Sequence, residues 1–196
     1  MDMTIVKSSR TSLTAEDWSA AALAALERNG LAAIAVEPIA KTLGATKGSF
    51  YWHFSGRDDL IAAALELWER RDTDGVIATV DRAADGADRL RLLLRIVFMA
   101  VVETPGAGAI ELALQPHADH RLVAPVLARV TERRMSTLEA LFAEQGLSKA
   151  QARDRALLAY TTYLGHAQLA HATPDRLPTG AAFRTYVDRT VETLAS

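Results

Sequence analysis

The segment Leu43–Phe54, LGATKGSFYWHF, gathers Phe50, Tyr51, Trp52, His53 and Phe54 directly behind Lys47, Gly48 and Ser49. It is too short to be a core helix, so helical spacing has to divide its aromatics between two environments. Phe50 and Phe54 lie four apart and share one face, against Ile39, Ala40 and Leu43 of the preceding stretch. Lys47, Ser49, Tyr51, Trp52 and His53 fall on neighbouring faces and cannot all be core. Upstream, Pro38 suits the first turn of another short helix, and Gly44 is placed to take the left-handed conformation that ends it. Thr46 then caps the helix that carries the aromatics.

Two short helices joined by a tight glycine turn have the dimensions of a helix-turn-helix, whose second helix enters the major groove of DNA. Charge agrees locally. The whole chain carries a net charge of −2, yet Pro38 to Arg57 holds Lys41, Lys47 and Arg57 with no Asp or Glu. In this reading Lys47 neutralises a phosphate, Tyr51 and His53 donate to phosphate oxygens, and Gly48 lets the helix approach the bases. Thr46, Ser49 and Trp52 are left to meet base edges or thymine methyl groups. Lys7 and Arg10 in the N-terminal tail could reach a phosphate or a minor groove. The competing reading is a small helical cap whose aromatics cover a hydrophobic face.

Around this segment the pattern is helical almost everywhere. Thr14 and Asp17 form a capping box ahead of Trp18, Ala22, Ala25 and Leu26, and Asn29-Gly30 stops that first helix. Ser55 with Asp58 is a second capping box, opening a long helix over 56–83. Further helices are expected over 87–103, 109–118, 123–145, 149–172 and 181–194, separated by Gly86, by TPGAG at 104–108, by Gly146 and by TPDRLPTG at 173–180. The fold class is all-α. With 196 residues, 49% of them hydrophobic, the chain can bury a substantial core. It has no cysteine, no run apolar enough to span a bilayer and no secretion signal, which points to a soluble cytoplasmic protein without membrane partners.

The run IAKTLGATKGSFYWHFSGRDDL, Ile39 to Leu60, resembles the recognition motif of the TetR/AcrR family of transcriptional regulators. The resemblance implies a helix-turn-helix domain over 1–55 and a helical effector-binding and dimerisation domain over 56–196. It implies that Thr46, Lys47, Gly48, Ser49, Tyr51, Trp52 and His53 form the DNA-reading surface, that Phe50 and Phe54 are structural, and that Arg57 takes the place of a Lys near the phosphate. One departure is Val36, where the family often has a Ser or Thr that caps the second helix and touches a phosphate; Glu37 could cap instead, but it would repel the DNA backbone.

A single recognition helix binds weakly, so a homodimer on a palindromic double-stranded operator is expected. Lys149–Ala172 is apolar on more than one face, and the last helix presents Phe183, Val187, Val191 and Leu194 as a stripe. The resemblance implies that these two helices pair with their mates, which makes Leu157, Leu164, Phe183, Val187 and Val191 the expected dimer interface; the alternative is that both stripes serve only the monomer core. Among the middle helices, large side chains (Trp68, Phe98, Met99, Val102, Met135, Phe142) and polar groups at apolar positions (Gln115, His117, Tyr163, His166) suggest a pocket for a small-molecule effector of unknown identity. Plain core is the alternative for each of them. In HADH, His117 to His120, the two histidines are three apart at a helix end and no third ligand beside them is assured, Asp119 included, so no metal is expected, and no cofactor. No phosphate loop or nucleophile constellation supports an enzyme. The expected function is a one-component repressor released from DNA by its effector. A ligand-dependent activator and a helical carrier or enzyme are the alternatives.

Overall fold

The computed structural model describes residues 13–83, 86–104 and 106–196, and among these the chain is helical with no strand. Lys7 and Arg10 lie outside the described residues. Helix α1 (Ala15–Asn29) opens with the Thr14/Asp17 capping box and closes at Gly30, φ +74°. Helices α2 (Val36–Thr42) and α3 (Lys47–Tyr51) follow. Next come α4 (Arg57–Glu69), a π-helical turn (Arg70–Asp74) and α5 (Gly75–Asp81). The remainder comprises α6 (Gly86–Glu103), α7 (Ala109–Leu114), α8 (Ala124–Glu144), α9 (Lys149–Ala172) and α10 (Gly180–Ala195). None of these helices is long and apolar enough to cross a membrane.

Two details differ from expectation. The long helix over 56–83 is one helical run in three parts, because a π turn replaces the α pattern where Gly75 N–H bonds to the Arg70 carbonyl. A Cβ on Gly75 would stand 3.3 Å from that oxygen, so the glycine admits the close approach. At the start of α4, Ser55 pairs with Asp59 instead of Asp58, its backbone N–H donating to the carboxylate at 3.0 Å. Asp58 points outward and pairs with Arg121 of the segment before α8.

Packing produces two hydrophobic cores. The first joins Trp18, Ala22 and Leu26 of α1 to Ile39, Phe50, Leu60, Leu65 and Trp68, and continues past residue 55 to Ile110, Leu114, Val126 and Val130. The second joins Val80, Leu90, Leu94 and Phe98 to Leu138, Phe142, Ala156 and Tyr160, and to Phe183, Val187 and Val191. Helix α8 belongs to both, with Val126 and Val130 in one and Leu138, Leu141 and Phe142 in the other. The run α4–α5 does the same.

Candidate functional site

The sequence folds Leu43–Phe54 into a turn and a short helix by local hydrogen bonds. Gly44 takes φ +62°, a conformation that a side chain would strain. Ala45 N–H returns to the Ala40 carbonyl at 2.8 Å, and Thr46 Oγ1 accepts the Ser49 N–H at 3.1 Å. Phe50, with no exposed surface, meets Trp18 edge-on at 5.3 Å and stacks on Phe54 at 5.4 Å. Anchored this way, α3 turns its other faces to solvent. Trp52 is 88% exposed and Tyr51 55%; Lys41, Thr46, Lys47, Gly48 and His53 are exposed and Ser49 half-buried. A large aromatic left in water forgoes about 1.5–3 kcal/mol of burial, which a partner surface would recover.

Two charged groups behave otherwise than expected. Arg57 is held by the backbone: its Nε donates to the Ile34 carbonyl at 2.6 Å and its Nη2 to the Leu31 carbonyl at 3.0 Å. It ties the α1–α2 connection to α4, adding a second donor to the Leu31 carbonyl, which also accepts the Ile34 N–H at 3.2 Å. Arg57→Ala is expected to lower the unfolding free energy by about 1–2 kcal/mol, read from urea denaturation midpoints; an unchanged midpoint would refute the anchoring role. Glu37, absent from the acid-free window, reaches in from α2 and pairs with Lys47 at 2.9 Å. That hydrogen bond holds the Glu37 carboxyl below its ordinary range and raises Lys47. Helix α2 thus begins with no side-chain cap, as Val36 implied.

Between the two cores lies a buried ion pair. Arg134 of α8 donates to Glu111 of α7 at 2.6 Å, with the side chains only 14% and 4% exposed. Its Nε donates to Thr73 Oγ1 at 3.0 Å, and its guanidinium lies over the rings of Trp68 and Tyr163. Tyr160 donates its hydroxyl to the other Glu111 oxygen at 2.7 Å. Burial, with Glu111 nearby, pushes the Tyr160 phenol up to about 12, so it stays a neutral donor. A small cavity of about 60 Å³ adjoins this network, lined by Asp72, Thr73, Arg134, Tyr160 and Tyr163 among apolar groups. A larger one of about 320 Å³ opens between α1, the π turn and α6, and shares Asp72, Val76, Val97 and Tyr163 with the first.

Residues 20–64 match the family described as bacterial regulatory proteins, tetR family. The segment that folds into α2 and α3 lies within this match. Solved structures of the same fold extend the likeness over nearly the whole chain. A transcriptional regulator from Rhodococcus sp. Rha1 is 21% identical, with 93% of this chain and 94% of that one covered at a TM-score of 0.76. FadR from Bacillus subtilis, solved in complex with stearoyl-CoA, is 14% identical, with coverages of 93% and 98% and a TM-score of 0.72. A protein from Saccharomonospora viridis, solved in complex with choline, is 17% identical, with 91% and 95% covered at a TM-score of 0.72.

In the rest of the chain the expected effector residues do not converge. Of the ten, Tyr163 alone lines the two cavities just described. Trp68, Phe98 and Phe142 are buried in the two cores, Met99 and Met135 pack at the edge of the second, and Val102 is 43% exposed. Gln115 is exposed and His117 half-buried on the turn after α7. His166 is buried among aromatics, stacked on Phe183 and Tyr186 and edge-on to Phe98, and burial lowers its imidazole pKa. Among the described residues no group of three His, Asp or Glu is arranged to hold a metal. The interface stripe also needs correction: Phe183, Val187 and Val191 are buried within one chain, against α6. Leu157 is 54% exposed and Leu164 half-buried. The polar groups missed in sequence were Glu27, Asp72, Thr73, Glu111 and Arg134. A signal existed for some of them: Arg134 sits four residues from both Val130 and Leu138, and Thr73 stands four and seven before Ile77 and Val80.

Proposed function

We propose that this protein is a TetR-family regulator, a homodimeric repressor that binds a two-fold operator through α3 and is released by a small-molecule effector. The observation that carries the DNA reading is the exposed row Lys47, Tyr51, Trp52 and His53 on a helix fixed from behind by Phe50 and Phe54. Lys41, Thr46, Gly48 and Ser49 complete the proposed surface, with residues 1–55 as the DNA-binding part and 56–196 as the effector and dimerisation part. Arg57 serves it indirectly, by holding the turn before α2. Glu37 competes with phosphate for Lys47, so Glu37→Gln is expected to raise affinity for DNA of any sequence about three- to tenfold at low salt. Fluorescence anisotropy with unrelated duplexes measures this, and equal affinities would contradict it.

The dimer reading moves to the outer face of α9. There Leu157, Leu158 and Leu169 are 54%, 49% and 44% exposed, and Gly165 has open space where a Cβ would stand. Apolar groups spaced this way along an exposed helix face fit a second copy of the same helix. Leu157→Arg is expected to shift the protein to monomers in sedimentation and to weaken operator binding about 10²–10⁴-fold. A dimer that persists would move the interface elsewhere.

The cavities beside the π turn support an effector, and the fold accommodates ligands as unlike as stearoyl-CoA and choline in the proteins named above. Such a ligand would act through α4–α5 and α8, the elements shared by both cores, by favouring one spacing of the recognition helices over another. Selection of bound sequences from random DNA by the purified protein tests the whole reading. A two-fold sequence is the expected result, and the absence of any enriched sequence would overturn it. Tight binding only in the presence of a ligand would instead make the protein an activator or a ligand-dependent repressor.

A further inference from the structure

We propose that the larger cavity is a site for a small organic cation with an apolar body, its ammonium group held between Glu27 of α1 and Asp72 of the π turn. The assignment rests on the effector reading and names the ligand's chemistry. The cavity, about 320 Å³, lies at the lower end of the range for small-molecule sites. Its walls are mainly apolar, with Leu23, Ile96, Val97 and Ile110 among them. Its charged groups do not balance. Glu27 is half-buried and, among the described residues, has neither a hydrogen-bond nor an ion-pair partner. The carboxylate lies directly against Gly106, where a Cβ would collide with it.

Asp72 likewise has no ion pair among the described residues; burial raises its carboxyl pKa, against the pull of the Arg134 and Arg71 charges. Neither nearby cation is hydrogen-bonded to these two carboxylates. Arg71, at the rim, is paired with Glu16 at 3.2 Å on the outer surface. Arg134, behind Asp72 and facing the smaller cavity, is taken up by Glu111, Thr73 and the Asp72 carbonyl. The remaining wall elements, α6 and α7, present only uncharged side chains apart from the rim. Tyr163, from α9, lines the same cavity with a hydroxyl that has no hydrogen-bond partner among the described residues. A carboxylate or phosphate ligand would meet two acids and no free base. A protonated amine would meet two acids and a phenol, and would give Glu27 the counter-charge it lacks. Because Glu27 belongs to the helix that carries Trp18, such a ligand touches the DNA-binding part directly.

Isothermal titration calorimetry on the full chain with three matched probes, phenylbutylammonium, phenylbutanol and phenylbutanoate, tests this without DNA. Phenylbutylammonium is expected to bind one site per chain about tenfold or more tighter than phenylbutanol, with phenylbutanoate weakest. Glu27→Gln, which removes a charge but no existing contact, should weaken the ammonium about tenfold and leave the alcohol unchanged. Ala100→Phe, filling the cavity, should abolish binding of both. Equal or tighter binding of phenylbutanoate, or an ammonium affinity indifferent to both substitutions, would overturn the site. Since the titration contains no operator, a protein that binds the ammonium but no DNA would refute the regulator reading and leave this one standing.

Discussion

Replacing Arg134 with methionine is expected to lower the unfolding free energy by about 3–5 kcal/mol, because Glu111 would then be a buried carboxylate without its counter-charge. The pair is deep, at 14% and 4% side-chain exposure, and the guanidinium also serves Thr73 and the Asp72 carbonyl. The same substitution combined with Glu111→Leu should recover most of the loss, since removing both charges removes the uncompensated one. Tyr160 would then lose an acceptor, which sets a limit of about 1–2 kcal/mol to the recovery. Chemical denaturation of the wild type, the single variant and the double variant measures all three values. A single variant within 1 kcal/mol of wild type, roughly the value of one ordinary hydrogen bond, would refute the claim that this pair clamps the two cores together.

The second large effect concerns DNA. Lys47→Ala and Tyr51→Ala each remove a charge-assisted phosphate contact, worth about 1.5–3 kcal/mol. Two-fold symmetry repeats the loss in each half-site, so each variant should lose about 3–6 kcal/mol on the operator, or some 10²–10⁴-fold in affinity. The two can be told apart by salt. Lys47→Ala deletes two phosphate neutralisations per dimer and should flatten the plot of log affinity against log salt by about 1.8, whereas Tyr51→Ala should leave the slope alone. Both should weaken unrelated sequences as well. Trp52→Ala should instead change which base is preferred at its position. A Lys47→Ala slope equal to that of wild type would remove Lys47 from the interface.

The two halves of the chain differ in how well sequence discloses them, for physical reasons. The DNA-facing half is built from local rules. Helical spacing alone separates buried Phe50 and Phe54 from exposed Tyr51, Trp52 and His53, and Gly44 and Thr46 mark their turn and cap by residue type. What that reading did not foresee, at Arg57, are carbonyl partners more than twenty residues away, because side-chain type says nothing about which long-range acceptor an arginine finds. The interior half depends on such long-range contacts throughout. Large residues such as Trp68 and Phe142 fill cores instead of lining space, because a cavity is a property of how helices fail to meet. Polar residues at apolar spacing were the better indicator, and His166 shows that even they divide between core and cavity.

The π turn at Arg70–Asp74 gives the long helical run one residue more than an α-helix of the same span would hold. Each residue of an α-helix turns the chain by about 100°, so this surplus sets the rotational phase between α4, which is bound into the first core, and α5, which is bound into the second. Deleting one residue there would restore regular winding while forcing one of the two helices to present the wrong face. The surplus residue thus acts as a dislocation between two blocks: each keeps its own lattice of contacts, and the angle between them is written into a single turn.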